Sequence, residues 1–154
     1  HHLCNSNLLV IHLSQQSMSP QGFAQDAASR REIELKAMDA VMEAERALGN
    51  EPVDVSAQKI GYDILSLDPD AKIQRFIEVK GRIDGADSIM VTRNEIITSL
   101  NKPDNFILAI VLVNQNIANE PRYLRKPFEV EPAFGVRAQQ FDLAHLLSRS
   151  EAPQ

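Results

Sequence analysis

The chain of 154 residues is long enough for one domain with a real core and too short for two comfortable ones. Its hydrophobic fraction of 44% and charged fraction of 24% are ordinary for a globular protein and exclude wholesale disorder. A formal charge of −5 excludes tight binding of duplex nucleic acid through bulk charge, because that affinity comes from Lys and Arg neutralising phosphates; such a role needs a local basic patch, metal ions or a tethered partner.

Cys4 is the single cysteine, so neither an internal disulfide nor a thiolate metal cluster is expected, and a reducing, cytoplasmic setting fits. The most apolar runs, LLVIHL near the start and FILAIVLV at 106–113, fall far short of the roughly 20 residues that cross a bilayer. No membrane partner is therefore expected. The opening HHLCNSN reads as part of an expression tag and is set aside.

Residues 1–28 are expected to be tag remnant, lead-in strand or linker, with a single domain over 29–150. Within the first part, SQQSMSPQGFAQDAA is small and polar with little periodicity. Ser29 followed three residues later by Glu32 has the form of a capping box. Ile33, Ala37, Val41, Ala44 and Leu48 then recur at helical spacing. This predicts a helix over 29–48, closed by Gly49 and Asn50. EPVDVSAQK reads as a connector to a strand IGYDILSL, then a turn DPDA with Pro69 at its corner. A second strand, IQRFIEVKG, follows.

A third short strand, SIMVT, runs into RNEIITSLN, where Thr92 and Glu95 again have capping-box spacing. KPDN ends that helix. FILAIVLV is apolar on both faces, as a central strand covered by helices would be. An edge strand around RYLRKPF and a short helix near FDLAHLLSR complete the order. The result is an α/β domain: helix, three strands, helix, strand, with additions at both ends.

The chemistry gathers on the first two of these strands. Alternation sends Glu78 and Lys80 to one face, and Ile77 and Val79 to the other. A turn centred on Pro69 and Asp70 sets Asp63 across from Phe76 and diagonal to Glu78; sliding the register by two sets it directly opposite Glu78. Two carboxylates on one face repel unless a cation intervenes, and Lys80 or a divalent metal supplies one. Hard cations such as Mg²⁺ favour carboxylate oxygens with water and substrate phosphate, a role that suits Asp63 and Glu78. The alternative is a cross-strand ion pair of Asp63 with Lys80, leaving Glu78 at a wet sheet edge and contributing about 0 to 1 kcal/mol if exposed.

Asp63, fourteen intervening residues and then Glu78-Val79-Lys80, on this element order, resemble the PD-(D/E)xK nuclease superfamily. Within it, GYDI, RFIEVKG and VTRNEI resemble the NO VEIN-type C-terminal domain found at the end of helicase-like proteins. The resemblance covers roughly residues 30 to 148. It implies a restriction-endonuclease-like α-β-β-β-α-β core, with a mixed central sheet flanked by helices, placed beside a helicase-like ATPase region and acting on nucleic acid, DNA in the first instance. It further implies Mg²⁺ (or Mn²⁺) held by Asp63, Glu78 and the Val79 carbonyl, with Lys80 at the attacking water. A first-helix glutamate completes the metal shell in that superfamily; Glu34 is favoured and Glu45 is the alternative, both at azimuths that can face the sheet, whereas Glu43 points away.

Phosphodiester hydrolysis is thus the expected activity, and a non-catalytic DNA-binding or protein-docking module of the same fold is the rival. Capping accounts for Thr92 and Glu95, with a substrate or supporting role as the alternative. Lys59, Arg75, Lys80, Arg82 and Arg93 are near the site in sequence and either meet phosphates or are simply solvated. His12 and His145 lack metal-ligand spacing, and Gly81 and Gly85 form no phosphate-cradling motif.

Overall fold

A computed structural model describes residues 20–154; the expectations for residues 1–19 lie outside the described residues. Two compact units divide the chain, residues 1–32 and 33–154. In the first, residues 20–32 are already helical, and Arg30 Nε donates to the Asp26 carbonyl at 3.4 Å. The helix expected over 29–48 begins earlier, since α1 runs from Pro20 to Ala47. Proline suits a first helical position, and the Ala, Gln and Arg content that follows favours helix despite the missing periodicity. Ser29 is therefore an interior helical residue and not a cap.

Within the second unit, α1 buries Ala37 and Val41 against Ile64, Ile77, Ile107, Ala109, Val111 and Tyr123 of the sheet. The helix ends as expected. Gly49 takes φ +86°, and the Gly49 and Asn50 amides donate back to the Arg46 and Glu45 carbonyls, both at 2.9 Å, which satisfies carbonyls that the last turn leaves open.

The main sheet has six strands. β1 (Glu51–Asp54), β2 (Ile64–Asp68) and β3 (Ile73–Ile83) are antiparallel neighbours, and β5 (Phe106–Asn114) is parallel to β3. β6 (Ile117–Ala118) and β7 (Arg122–Arg125) both pair antiparallel with β5. β1 occupies part of the stretch read as a connector. Its EPVD sequence has no apolar alternation to announce it, and the edge position tolerates Pro52. Every residue from Phe106 to Val111 is buried, so FILAIVLV is the central strand its two-faced apolarity predicts.

β4 (Ser88–Thr92) departs from expectation. It leaves the main sheet and pairs with β8 (Ala138–Asp142) as a separate two-stranded ribbon. β3 pairs with β2 over 73–77 and with β5 over 76–83, and on its β2 side beyond Ile77 the Val79 amide is taken by the Asp63 carboxylate. The ribbon buries Ile89 and Val91 and exposes Met90. After β4 comes α2 (Arg93–Asn101), and after β8 comes α3 (Leu143–Ser148), capped by Asp142 on the Ala144 amide. These elements build a second apolar layer of Ile89, Val91, Ile96, Phe106, Leu108, Ile110, Leu124, Leu143 and Leu146. The sheet is thus covered on both faces: α1 on one, α2 with the ribbon on the other.

Candidate functional site

β3 carries a polar cluster on each face, because Arg75 and Glu78 are an odd number of residues apart. The hairpin register pairs Ile64 with Ile77, which sets Asp63, one step beyond the ladder, alongside Glu78. This is the register slid by two. Connecting residues 69–72 are ordered by Asp68 Oδ1, which accepts from the Asp70 and Ala71 amides at 3.0 and 3.1 Å. Gly61, at φ +93°, lets the chain pass so close to α2 that a Cβ there would collide with the Thr98 hydroxyl. Asp63 thereby arrives between β3 and α2.

Four side chains converge there. Asp63 Oδ2 accepts from the Val79 amide at 2.9 Å. Lys80 Nζ lies 2.9 Å from Glu95 Oε1 and 3.4 Å from Glu78 Oε1. Glu95 Oε1 also accepts from the Thr92 amide at 2.9 Å, and Thr92 Oγ1 accepts from the Glu95 amide at 3.2 Å, completing the expected capping box. Glu78 is only 3% exposed, and its Oε2 is buried without a hydrogen-bond partner.

Two carboxylates, Glu78 and Glu95, therefore share one ammonium, and the Asp63 charge acts on Glu78 from beside it. Burial, followed by the charges of Asp63 and Glu95, pushes the Glu78 carboxyl up to about 10, with Lys80 offsetting part of the effect. Burial also raises Asp63, against the opposing Val79 hydrogen bond. For Glu95 burial acts upward, but the Lys80 charge and the Thr92 amide outweigh it and leave the carboxyl below its usual range. Burial would lower Lys80; Glu78 and Glu95 override it and hold the ammonium charged.

The exposed ion-pair alternative does not describe this arrangement. Lys80 is bound by Glu95 and Glu78, Asp63 uses Oδ2 on a backbone amide, and Glu78 is buried. Val79 turns its side chain toward the α1 layer.

The first-helix acids stand elsewhere. Glu34 is exposed, while α1 covers the face of Ile77 and Val79, opposite to that of Glu78 and Lys80. Glu45 is fully buried on that α1 face. Arg75 donates to it from Nε at 2.7 Å and Nη2 at 3.0 Å, and the Tyr123 hydroxyl donates at 2.8 Å. Burial alone would raise Glu45; the hydrogen bonds and charge of Arg75, with help from Ser66 and Tyr123, take it below its ordinary value. The acid that does join Lys80 comes from α2. Its capping-box spacing is visible in the sequence, but that spacing explains Glu95 completely without a second role.

Two of the sequence-adjacent basic residues are held elsewhere. Arg75 belongs to Glu45, and Arg93 Nη1 donates to the carbonyls of Pro132, Ala133 and Val136 at 3.1, 3.0 and 3.3 Å. His145 is exposed on α3, and His12 lies outside the described residues.

Among the described residues, no three acidic, histidine or cysteine side chains come together closely enough to enclose a metal on their own. Mg²⁺ needs no such cage, since one or two carboxylates plus water and substrate phosphate suffice. Asp63 and Glu78 fit that donor set, and the orphaned Glu78 Oε2 is an oxygen with ligating capacity to spare.

Fold and site together define a class: an α/β domain whose central mixed sheet carries a buried carboxylate cluster around one lysine. The chain belongs to the family described as Protein NO VEIN, C-terminal, which matches residues 33–124. That segment contains Asp63, Glu78, Lys80 and Glu95. Neither a curated protein nor a solved structure matches the chain.

Proposed function

We propose that the domain is a PD-(D/E)xK-type nuclease that hydrolyses nucleic-acid phosphodiesters with Mg²⁺ or Mn²⁺, as a module of a larger helicase-like DNA-processing or defence protein. One observation carries the reading: the buried Glu78 carboxyl shares the Lys80 ammonium with Glu95, feels the Asp63 charge as well, and has Oε2 without a hydrogen-bond partner. A cation relieves that crowding. Asp63, Glu78 and the Val79 carbonyl would hold the ion, which when bound supplies Lewis-acid stabilisation of the charge on a phosphodiester under attack. Lys80, kept protonated by its acidic neighbours, orients the nucleophilic water or offsets charge on the phosphoryl oxygens. Glu34, exposed on α1, takes no part.

A second reading has its own observation. Glu78 is 3% exposed and Lys80 is already engaged on two sides, as in a scaffold that keeps the fold to bind DNA or dock a protein partner. Incubating the domain with plasmid and single-stranded DNA plus Mg²⁺ or Mn²⁺ separates the two. The nuclease reading expects cleavage that disappears in Glu78→Ala and Lys80→Ala. Cleavage surviving both substitutions removes the mechanism, and no cleavage under any condition favours the docking module.

A further inference from the structure

We infer that Glu95 is the positioning residue of the cluster: one carboxylate oxygen fixes the Lys80 ammonium over Glu78 and ties it to the first turn of α2. A glutamate that served only as a helix cap would need the Thr92 amide and nothing more. Glu95 Oε1 instead receives two donors at 2.9 Å each, Thr92 N and Lys80 Nζ. The second donor arrives from β3, fifteen residues away. Both side chains are largely withdrawn from water, with 19% exposure for Lys80 and 15% for Glu95. Charge-assisted hydrogen bonds of this kind are about twice as strong as neutral ones.

Without Glu95, Lys80 would keep only the 3.4 Å contact with Glu78, a weak restraint on a flexible four-carbon side chain. The capping box thus does two things with one atom. It starts α2, and it decides where the ammonium stands. The inference rests on the nuclease reading for what Lys80 does, and on these contacts alone for how Lys80 is held.

Glu95→Gln separates the two duties. Glutamine keeps a carbonyl oxygen for the Thr92 amide, so the capping box survives, but it loses the charge that holds the ammonium. The order of the Lys80 Cε methylene, read by NMR relaxation, should fall in Glu95→Gln to that of a surface lysine while the thermal midpoint changes little. In the cleavage assay kcat should drop about 10- to 100-fold with KM nearly unchanged. Glu95→Asp, charged but one methylene shorter, should restore part of the order.

Lys80 as rigid in Glu95→Gln as in the wild type overturns the inference, whether or not the domain cuts DNA. A loosened Lys80 in a domain that never cleaves supports the inference and removes the nuclease reading. Should Glu95→Gln fail to fold, the unsubstituted protein still decides: a through-hydrogen-bond NMR coupling between Lys80 Nζ and the Glu95 carboxyl carbon is expected, and a freely rotating ammonium without that coupling overturns the proposal.

Discussion

Buried beside Asp63 and Glu95, the Glu78 carboxyl is held up to about 10, so at neutral pH it keeps its proton unless a cation arrives. From 4.5 to about 10 the folded state therefore retains a proton that the unfolded state has lost. The stability this contributes is fully present below that window and is lost as pH rises through it. Denaturant midpoints across the range should fall less steeply for Glu78→Gln than for the wild type, and Glu78→Gln should stay within about 1 kcal/mol of wild type at neutral pH. If the proposed metal site forms, Mg²⁺ or Mn²⁺ binding should expel about one proton per ion, measurable by calorimetry in buffers of different ionisation heat; no proton release would contradict the proposal of Glu78 as a ligand. A second residue-scale test concerns backbone. Gly61→Ala forces a methyl into Thr98 at a positive φ and should cost about 1–3 kcal/mol in urea unfolding.

Hairpin β2–β3 is largely legible in the sequence, because alternation in RFIEVKG separates the Glu78 and Lys80 face from the Ile77 and Val79 face. Its register is not. A turn centred on Pro69 and Asp70 and one ordered by the Asp68 carboxylate differ by two residues in pairing, and only the latter sets Asp63 alongside Glu78. The ribbon β4–β8 is hidden for a related reason: SIMVT shows that a strand exists, but not which neighbour has a free edge, and AQQFD lacks alternation. On α1, azimuth alone leaves Glu34 and Glu45 equal, and Arg75 resolves them. Removing Glu45 leaves that guanidinium buried with its carboxylate partner gone and only the Gln154 carbonyl on Nη2, so Glu45→Ala should cost about 3–5 kcal/mol, whereas Glu34→Ala should fall within about 0.5 kcal/mol of wild type. The lowered Glu45 carboxyl contributes stability that is present above its unfolded value and lost as pH falls through its folded one. Arg75→Met should be less stable than wild type near neutral pH but lose less further stability on acidification, because the Glu45 carboxyl is no longer held down.

For the molecule as a whole, a net charge of −5 opposes the phosphate backbone, and Arg75 and Arg93 are already held by Glu45 and by the 132–136 carbonyls. DNA affinity measured by fluorescence anisotropy should be weak without divalent cations and should rise when Mg²⁺ or Mn²⁺ is added. A ligated ion should also raise the thermal midpoint, by the equivalent of about 2.7 kcal/mol at a hundredfold excess over Kd. The α/β architecture and the shared face of Glu78 and Lys80 can be read from pattern because they depend on strand alternation. The third acid cannot, since it is contributed by a helix start whose spacing has a complete local explanation. One strand, finally, bears Arg75 toward α1 and Glu78 toward α2. Sliding β3 by a single residue would turn both charges into oily layers at once, so these two clusters act as a proofreading device for strand pairing. Substituting Glu45 and Arg75 together by methionine should then leave a stable fold with duplicated amide resonances in β2 and β3, the sign of an alignment that has lost its checkpoint.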